Sequence, residues 1–131
     1  MKQGLPSRSA RIAWRAYLAL ITLFVLIGEA RNLAVHGAPG ATTIADWVLT
    51  VALFVPAWCY ALQRRVGTVG YWRGVFWIVV AVTLVMLVPV ALAGALAAAY
   101  AAALLALLAP VYLAALRYAY FSPEIWAPSS D

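Results

Sequence analysis

Four long apolar runs dominate the pattern of hydrophobic and polar positions along this chain. Each run carries few charges and is long enough, as a helix, to cross the roughly 30 Å hydrocarbon core of a bilayer. The pattern predicts helices over residues 12–33, 43–62, 72–92 and 95–120. We therefore expect an all-α integral membrane protein with four transmembrane helices, forming a single domain over residues 1–131.

The last two predicted helices come from one uncharged stretch, residues 74–116, which is too long for a single span. As one helix it would measure roughly 65 Å, about twice the thickness of the hydrocarbon core. It must therefore fold back near its middle, where Gly94 follows Pro89 by a few residues. The sequence predicts a tight hairpin there, and a second antiparallel hairpin from the first two helices.

Basic residues lie almost entirely on one side of the predicted spans. They precede or open the first span, separate the second from the third, and close the fourth, whereas only Arg31 falls on the opposite side. Because loops rich in Arg and Lys stay in the cytoplasm, both termini are predicted to be cytoplasmic. Most tyrosines and tryptophans of the chain also lie near the predicted cytoplasmic interface. The basic residues on this side are Lys2, Arg8, Arg11, Arg15, Arg64, Arg65, Arg73 and Arg117.

The composition excludes an ordinary water-soluble protein. Hydrophobic residues make up 67% of the chain and charged residues 10%, whereas soluble domains carry about 25% charge. The basic excess flanks apolar runs, which is typical of topology signals rather than of nucleic-acid binding. Arginine far outnumbers lysine and alanine is abundant, so we expect a bacterial inner membrane.

The basic N-terminus followed by an apolar run resembles the layout of a signal peptide. Glu29 and Arg31 follow that run, and no clear cleavage motif of small residues precedes them. We therefore expect the first span to be retained.

A cluster of polar residues interrupts the end of the first span. Glu29, Arg31 and Asn32 lie within four positions, and Asp46 near the start of the second helix can reach the same layer, with Thr42 or Thr43 as its helix cap. Helix length places Glu29 about one turn inside the membrane boundary.

Two interpretations of this cluster are open. In the favoured one, Glu29, Arg31 and Asp46 form an ion network that closes the first hairpin, and Asn32 fills the remaining hydrogen bonds. In the other, Glu29 is a proton or cation site, because acids inside membranes are often functional. No row of acids or histidines crosses the spans as a proton relay would require.

Small residues in the third and fourth helices predict close helix packing. Residues spaced four apart with small side chains let two helix backbones approach, which drives association inside lipid. One alanine row is expected to contact the third helix and an adjacent one to remain for another helix or a partner. The packing positions are Gly70, Gly74, Gly94, Ala98, Ala102 and Ala106, and the predicted kinks are Pro56, Pro89 and Pro110.

Catalytic motifs are missing from the sequence, so we expect no enzyme. His36 and Cys59 are the only residues of their types, too few for a zinc or haem site, and no cofactor is expected. The favoured function is that of an accessory or scaffold subunit that packs within the bilayer against a membrane protein or against itself. The alternative is a small transporter or ion-conducting oligomer that uses Glu29.

Overall fold

The computed structural model describes residues 8–127, and every regular element in them is a helix. Lys2, which is predicted to lie on the cytoplasmic side, is outside the described residues. The helices are α1 (Arg8–His36), α2 (Ala41–Leu62), α3 (Val69–Leu92), α4 (Ala95–Tyr120) and the short α5 (Pro123–Trp126).

Four of these helices, α1 to α4, are long and apolar enough to cross a membrane. The predicted all-helical class is thereby confirmed, and the chain is a multi-pass membrane protein by the length and composition of its helices. The cytoplasmic position of the termini and the arrangement of all four spans as two hairpins stay predictions.

The connection between α3 and α4 is as short as the sequence predicts. Only Ala93 and Gly94 separate the two helices. Gly94 has a φ of +124°, a conformation that side chains with a Cβ rarely adopt. Its carbonyl accepts a bond of 3.0 Å from Ala98 N. The glycine thus ends one apolar helix and begins the next within a single turn.

All three prolines predicted as kinks lie inside helices. Pro56 is in α2, Pro89 in α3 and Pro110 in α4. Each removes one backbone N–H from its helix, a loss that membrane helices tolerate where neighbouring groups compensate. Pro56 is buried, Pro110 is half-buried and Pro89 is exposed, so the three occupy different packing environments.

Contacts within the chain define two compact units, Met1–Val48 and Leu49–Asp131. The first unit contains α1, whose buried residues are Leu18 and Ile21, and the first part of α2. The second contains the rest of α2 together with α3, α4 and α5. The predicted single domain stays a prediction.

In the second unit, α3 and α4 run in opposite directions side by side. Arg73 near the start of α3 bonds to the carbonyl of Ala119 near the end of α4, at 3.2 Å. Deeper along both helices, the Thr83 hydroxyl lies 2.6 Å from the Tyr112 hydroxyl. Thr83 also donates to its own helix, to Val79 O at 2.8 Å. The bond between the two hydroxyls therefore links α3 to α4, and Thr83 has partners on both helices.

Candidate functional site

Glu29 is the centre of the predicted polar cluster in the first unit. Its Oε2 accepts a hydrogen bond of 2.7 Å from Trp47 Nε1 of α2. Both side chains are half-buried. A buried indole N–H needs an acceptor, and a carboxylate is a strong one. This bond therefore connects the last part of α1 to the start of α2.

Arg31 and Asn32 do not join this bond. Both side chains are exposed, and within residues 8–127 Arg31 forms no ion pair with Glu29 or Asp46. Residues two apart on a helix do not share a face, which keeps the Arg31 guanidinium away from the Glu29 carboxylate. The backbone carbonyl of Asn32 accepts instead from His36 Nδ1, at 3.1 Å. The predicted ion network of these residues stays a prediction.

The start of α2 differs from the sequence prediction. The helix begins at Ala41, and Ile44 N donates to Gly40 O at 3.1 Å. Thr42 and Thr43 therefore lie inside the first turn. A helix cap precedes the first helical residue, so neither threonine is in the cap position. Asp46 lies beyond the first turn, exposed to the surroundings and within electrostatic reach of Glu29.

The cluster as it stands can orient helices and can present negative charge. The Glu29 and Asp46 carboxylates are within electrostatic reach of each other, and Trp47 donates a hydrogen bond to Glu29. Among residues 8–127, no three His, Cys, Asp or Glu side chains form a group suited to a metal ion. Glu29 thus has a defined hydrogen-bond partner, the Trp47 indole, which the sequence did not predict.

A second polar cluster, centred on Tyr118, occupies one end of the second unit. The Tyr118 side chain is fully buried, with 0% of its surface exposed. Its hydroxyl accepts a bond of 3.0 Å from Val66 N and donates to Arg64 O at 3.2 Å, with Val66 O at 3.4 Å. One side chain of α4 thereby binds the backbone of the connection between α2 and α3.

Two tryptophans complete this cluster. Trp72 of α3 donates from Nε1 to Val66 O at 2.5 Å, and Trp126 of α5 donates to Tyr118 O at 2.8 Å. Both rings contact the Tyr118 ring. Gly67 is required beside Trp72, because a Cβ there would lie 3.3 Å from the indole nitrogen and φ is +73°. The side chains of Tyr118 and Trp72 therefore bond to the α2–α3 connection, and Trp126 packs against Tyr118.

Arginines of the same end stack on aromatic rings. The Arg65 guanidinium lies 5.9 Å from the centre of the Trp126 ring, and that of Arg73 lies 4.7 Å from the centre of the Tyr120 ring. Tyr120 also accepts a bond of 2.8 Å from Trp77 Nε1. The sequence predicts aromatic and basic residues at one interface, but which ring meets which arginine depends on the packing of α3 against α4.

The small residues predicted for helix packing lie mostly outside the contacts of the described chain. Ala102 and Ala106 are exposed, and Ala98 is half-buried. Sites for a Cβ at Gly70, Gly74 and Gly94 have no atom within 4 Å. The buried alanines of α4 are different ones, which are Ala101, Ala114, Ala115 and Ala119.

No protein-family model, curated protein or solved structure matches this chain.

Proposed function

We propose that this protein is a non-enzymatic subunit of the bacterial inner membrane that acts by packing its helices against another membrane protein or a second copy of itself. The observation that carries the proposal is a row of small residues on α4, two of whose alanines are exposed. Ala102 and Ala106 lie on this row, and both are exposed. We call residues 94, 98, 102 and 106 the small-residue row.

Physical chemistry gives this row its importance. Apolar side chains gain little from contacting each other rather than lipid, so association inside a bilayer depends on close backbone approach and good packing. A row of glycine and alanine spaced by four residues permits that approach. The buried positions of α4 lie outside this row, and Ala102 and Ala106 remain exposed after the chain has folded.

The shortness of the connections supports the same function. Residues 37–40, 63–68 and 93–94 are the segments between consecutive spans. Such segments offer little surface outside the bilayer for recognition of a soluble partner. Most of the described residues belong to the four spans, and many of the large apolar side chains there are exposed, Leu96 at 88%.

A test of this function uses three alanine-to-leucine variants of the purified protein. Ala102→Leu should weaken association by about tenfold or more, because overpacking a close contact costs roughly 1–3 kcal/mol. Ala81→Leu places the same volume at an exposed position of α3 and should leave association unchanged. The readout is the mass of the complex in mild detergent.

The third variant separates association from folding. Ala101 is buried, so Ala101→Leu should lower the unfolding temperature, whereas Ala102→Leu should not. An unchanged complex mass in Ala102→Leu, or a wild-type protein that is monomeric and carries no other protein, would contradict the proposed function.

A transporter that uses Glu29 is the second candidate. It is favoured by one observation, the half-buried carboxylate of Glu29 with the Asp46 carboxylate in electrostatic reach. A transport pathway also needs polar groups at mid-depth, and the polar pair described there, Thr83 and Tyr112, is bonded within the protein. Helix packing is therefore the preferred function.

A further inference from the structure

Arg73 is held in a fixed position on the surface of the second unit. Its Nε donates to Ala119 O at 3.2 Å, and its guanidinium stacks 4.7 Å from the centre of the Tyr120 ring. The residue is nevertheless exposed. An arginine that is oriented by two contacts loses less conformational entropy when it binds a ligand than a freely rotating one.

The remaining donors of Arg73 are its two terminal amino groups. Nε is occupied by Ala119 O, and no further bond of this guanidinium exists within residues 8–127. Two adjacent N–H groups in one plane match two oxygens of a phosphate, which is the bidentate geometry that favours arginine over lysine at phosphate sites.

The charge around Arg73 favours an anion. Between residues 49 and 127 the sequence carries Arg64, Arg65, Arg73 and Arg117, against Glu124 as the single acid. Arg117 precedes Tyr120 by three residues on α4, which places both on one helix face. Within residues 8–127, Arg73 has no acidic partner that would neutralise it.

The surroundings of Arg73 favour a lipid as the source of that anion. Trp77 lies one helical turn beyond Arg73, is 57% exposed and donates to the Tyr120 hydroxyl. Phe121 is exposed next to Tyr120. Tryptophan and tyrosine favour the depth at which headgroups meet acyl chains. On the other side of Arg73, the absent Cβ of Gly70 leaves open space.

We propose that Arg73, Tyr120 and Trp77 form a binding site for the phosphate of an anionic phospholipid. The two terminal amino groups of Arg73 donate to two phosphate oxygens, and Arg117 adds positive charge from the neighbouring helix. The rings of Trp77 and Tyr120 contact the glycerol region and the upper part of an acyl chain. Basic residues next to membrane helices recognise anionic headgroups by this chemistry.

The experiment titrates phosphatidylglycerol into the purified full-length protein in a non-ionic detergent and follows the unfolding temperature. Phosphatidylglycerol should raise this temperature more than zwitterionic phosphatidylcholine, and added salt should reduce the difference. Arg73→Gln should bind phosphatidylglycerol about fivefold more weakly, the contribution of one arginine near an anionic surface.

Matched variants distinguish this site from a general charge effect. Arg31→Gln removes an exposed arginine of α1 and should leave the affinity unchanged. Arg73→Lys keeps the charge without the planar donor pair, and its affinity should fall between those of the wild type and Arg73→Gln. If Arg73→Gln does not fold, the affinity of Arg73→Lys is compared with that of the wild type instead.

Three results would overturn the proposal. One is an equal rise of the unfolding temperature with phosphatidylglycerol and phosphatidylcholine. A carboxylate of a partner protein would then be the expected ligand of Arg73. Another is equal affinity of wild type and Arg73→Gln. The third is a stabilisation by inorganic phosphate as large as that by the lipid, which would assign the site to a soluble anion.

Discussion

At the scale of single residues, the pairing of Glu29 with Trp47 is the best-defined feature of the polar cluster. The 2.7 Å bond gives a half-buried carboxylate and a half-buried indole their partners at once. Leaving either group without a partner costs more than the bond itself contributes, because its desolvation is then uncompensated. We therefore expect Glu29 to contribute to stability through the oxygen that accepts from Trp47.

Substitutions at Glu29 test this role. Glu29→Gln keeps an acceptor oxygen for Trp47 Nε1 and should change the free energy of unfolding little, whereas Glu29→Leu should lower it by about 1 kcal/mol. In a double-mutant cycle with Trp47→Phe, a coupling energy near zero would contradict the role. If Glu29 is instead a proton site, Glu29→Gln should abolish transport while stability is retained.

At the scale of helices and their connections, Tyr118 determines how α2 continues into α3. Gln63 follows the last residue of α2 and has a φ of +54°, and Arg64 N donates to Cys59 O of the last turn at 2.9 Å. Thr68 then caps α3, its hydroxyl accepting from Tyr71 N at 3.4 Å. Between these two helix ends, Val66 N donates to the Tyr118 hydroxyl, and Val66 O accepts from Trp72 Nε1.

Removal of the Tyr118 hydroxyl should lower the free energy of unfolding. Tyr118→Phe leaves Val66 N–H without its partner beside a buried ring, and should lower the free energy of unfolding by about 1–3 kcal/mol. Tyr100→Phe is the matched control, since Tyr100 lies on the same helix and is 66% exposed. Equal unfolding temperatures for the two variants in detergent would show that the connection does not depend on Tyr118.

The elements also show what the sequence can and cannot predict. The turn at Gly94 is predictable because an uncharged stretch longer than a bilayer must fold back. The start of α3 lies three residues before the predicted one, because Thr68 caps the helix and Gly70 and Arg73 do not interrupt it. Which side of α4 is buried depends on packing against α3, and spacing alone does not distinguish Ala101 from Ala102.

At the scale of the whole molecule, the proposals depend on how the chain crosses the membrane. The small-residue row contacts a partner helix only if α4 spans the bilayer. The Arg73 site reaches lipid headgroups only if the end of the second unit that carries Arg73 lies at a membrane surface. The distribution of basic residues predicts that this surface is the cytoplasmic one.

Cysteine labelling in intact bacterial cells tests this arrangement most directly. Cys59 is buried and is the single cysteine, so Cys59→Ala gives a background without thiols. In that background, Ala38→Cys places a thiol between α1 and α2, and Glu124→Cys places one in α5; both positions are exposed. A membrane-impermeant maleimide should label Ala38→Cys in intact cells and Glu124→Cys only after the membrane is opened. Labelling of Glu124→Cys in intact cells would contradict four spans with cytoplasmic termini.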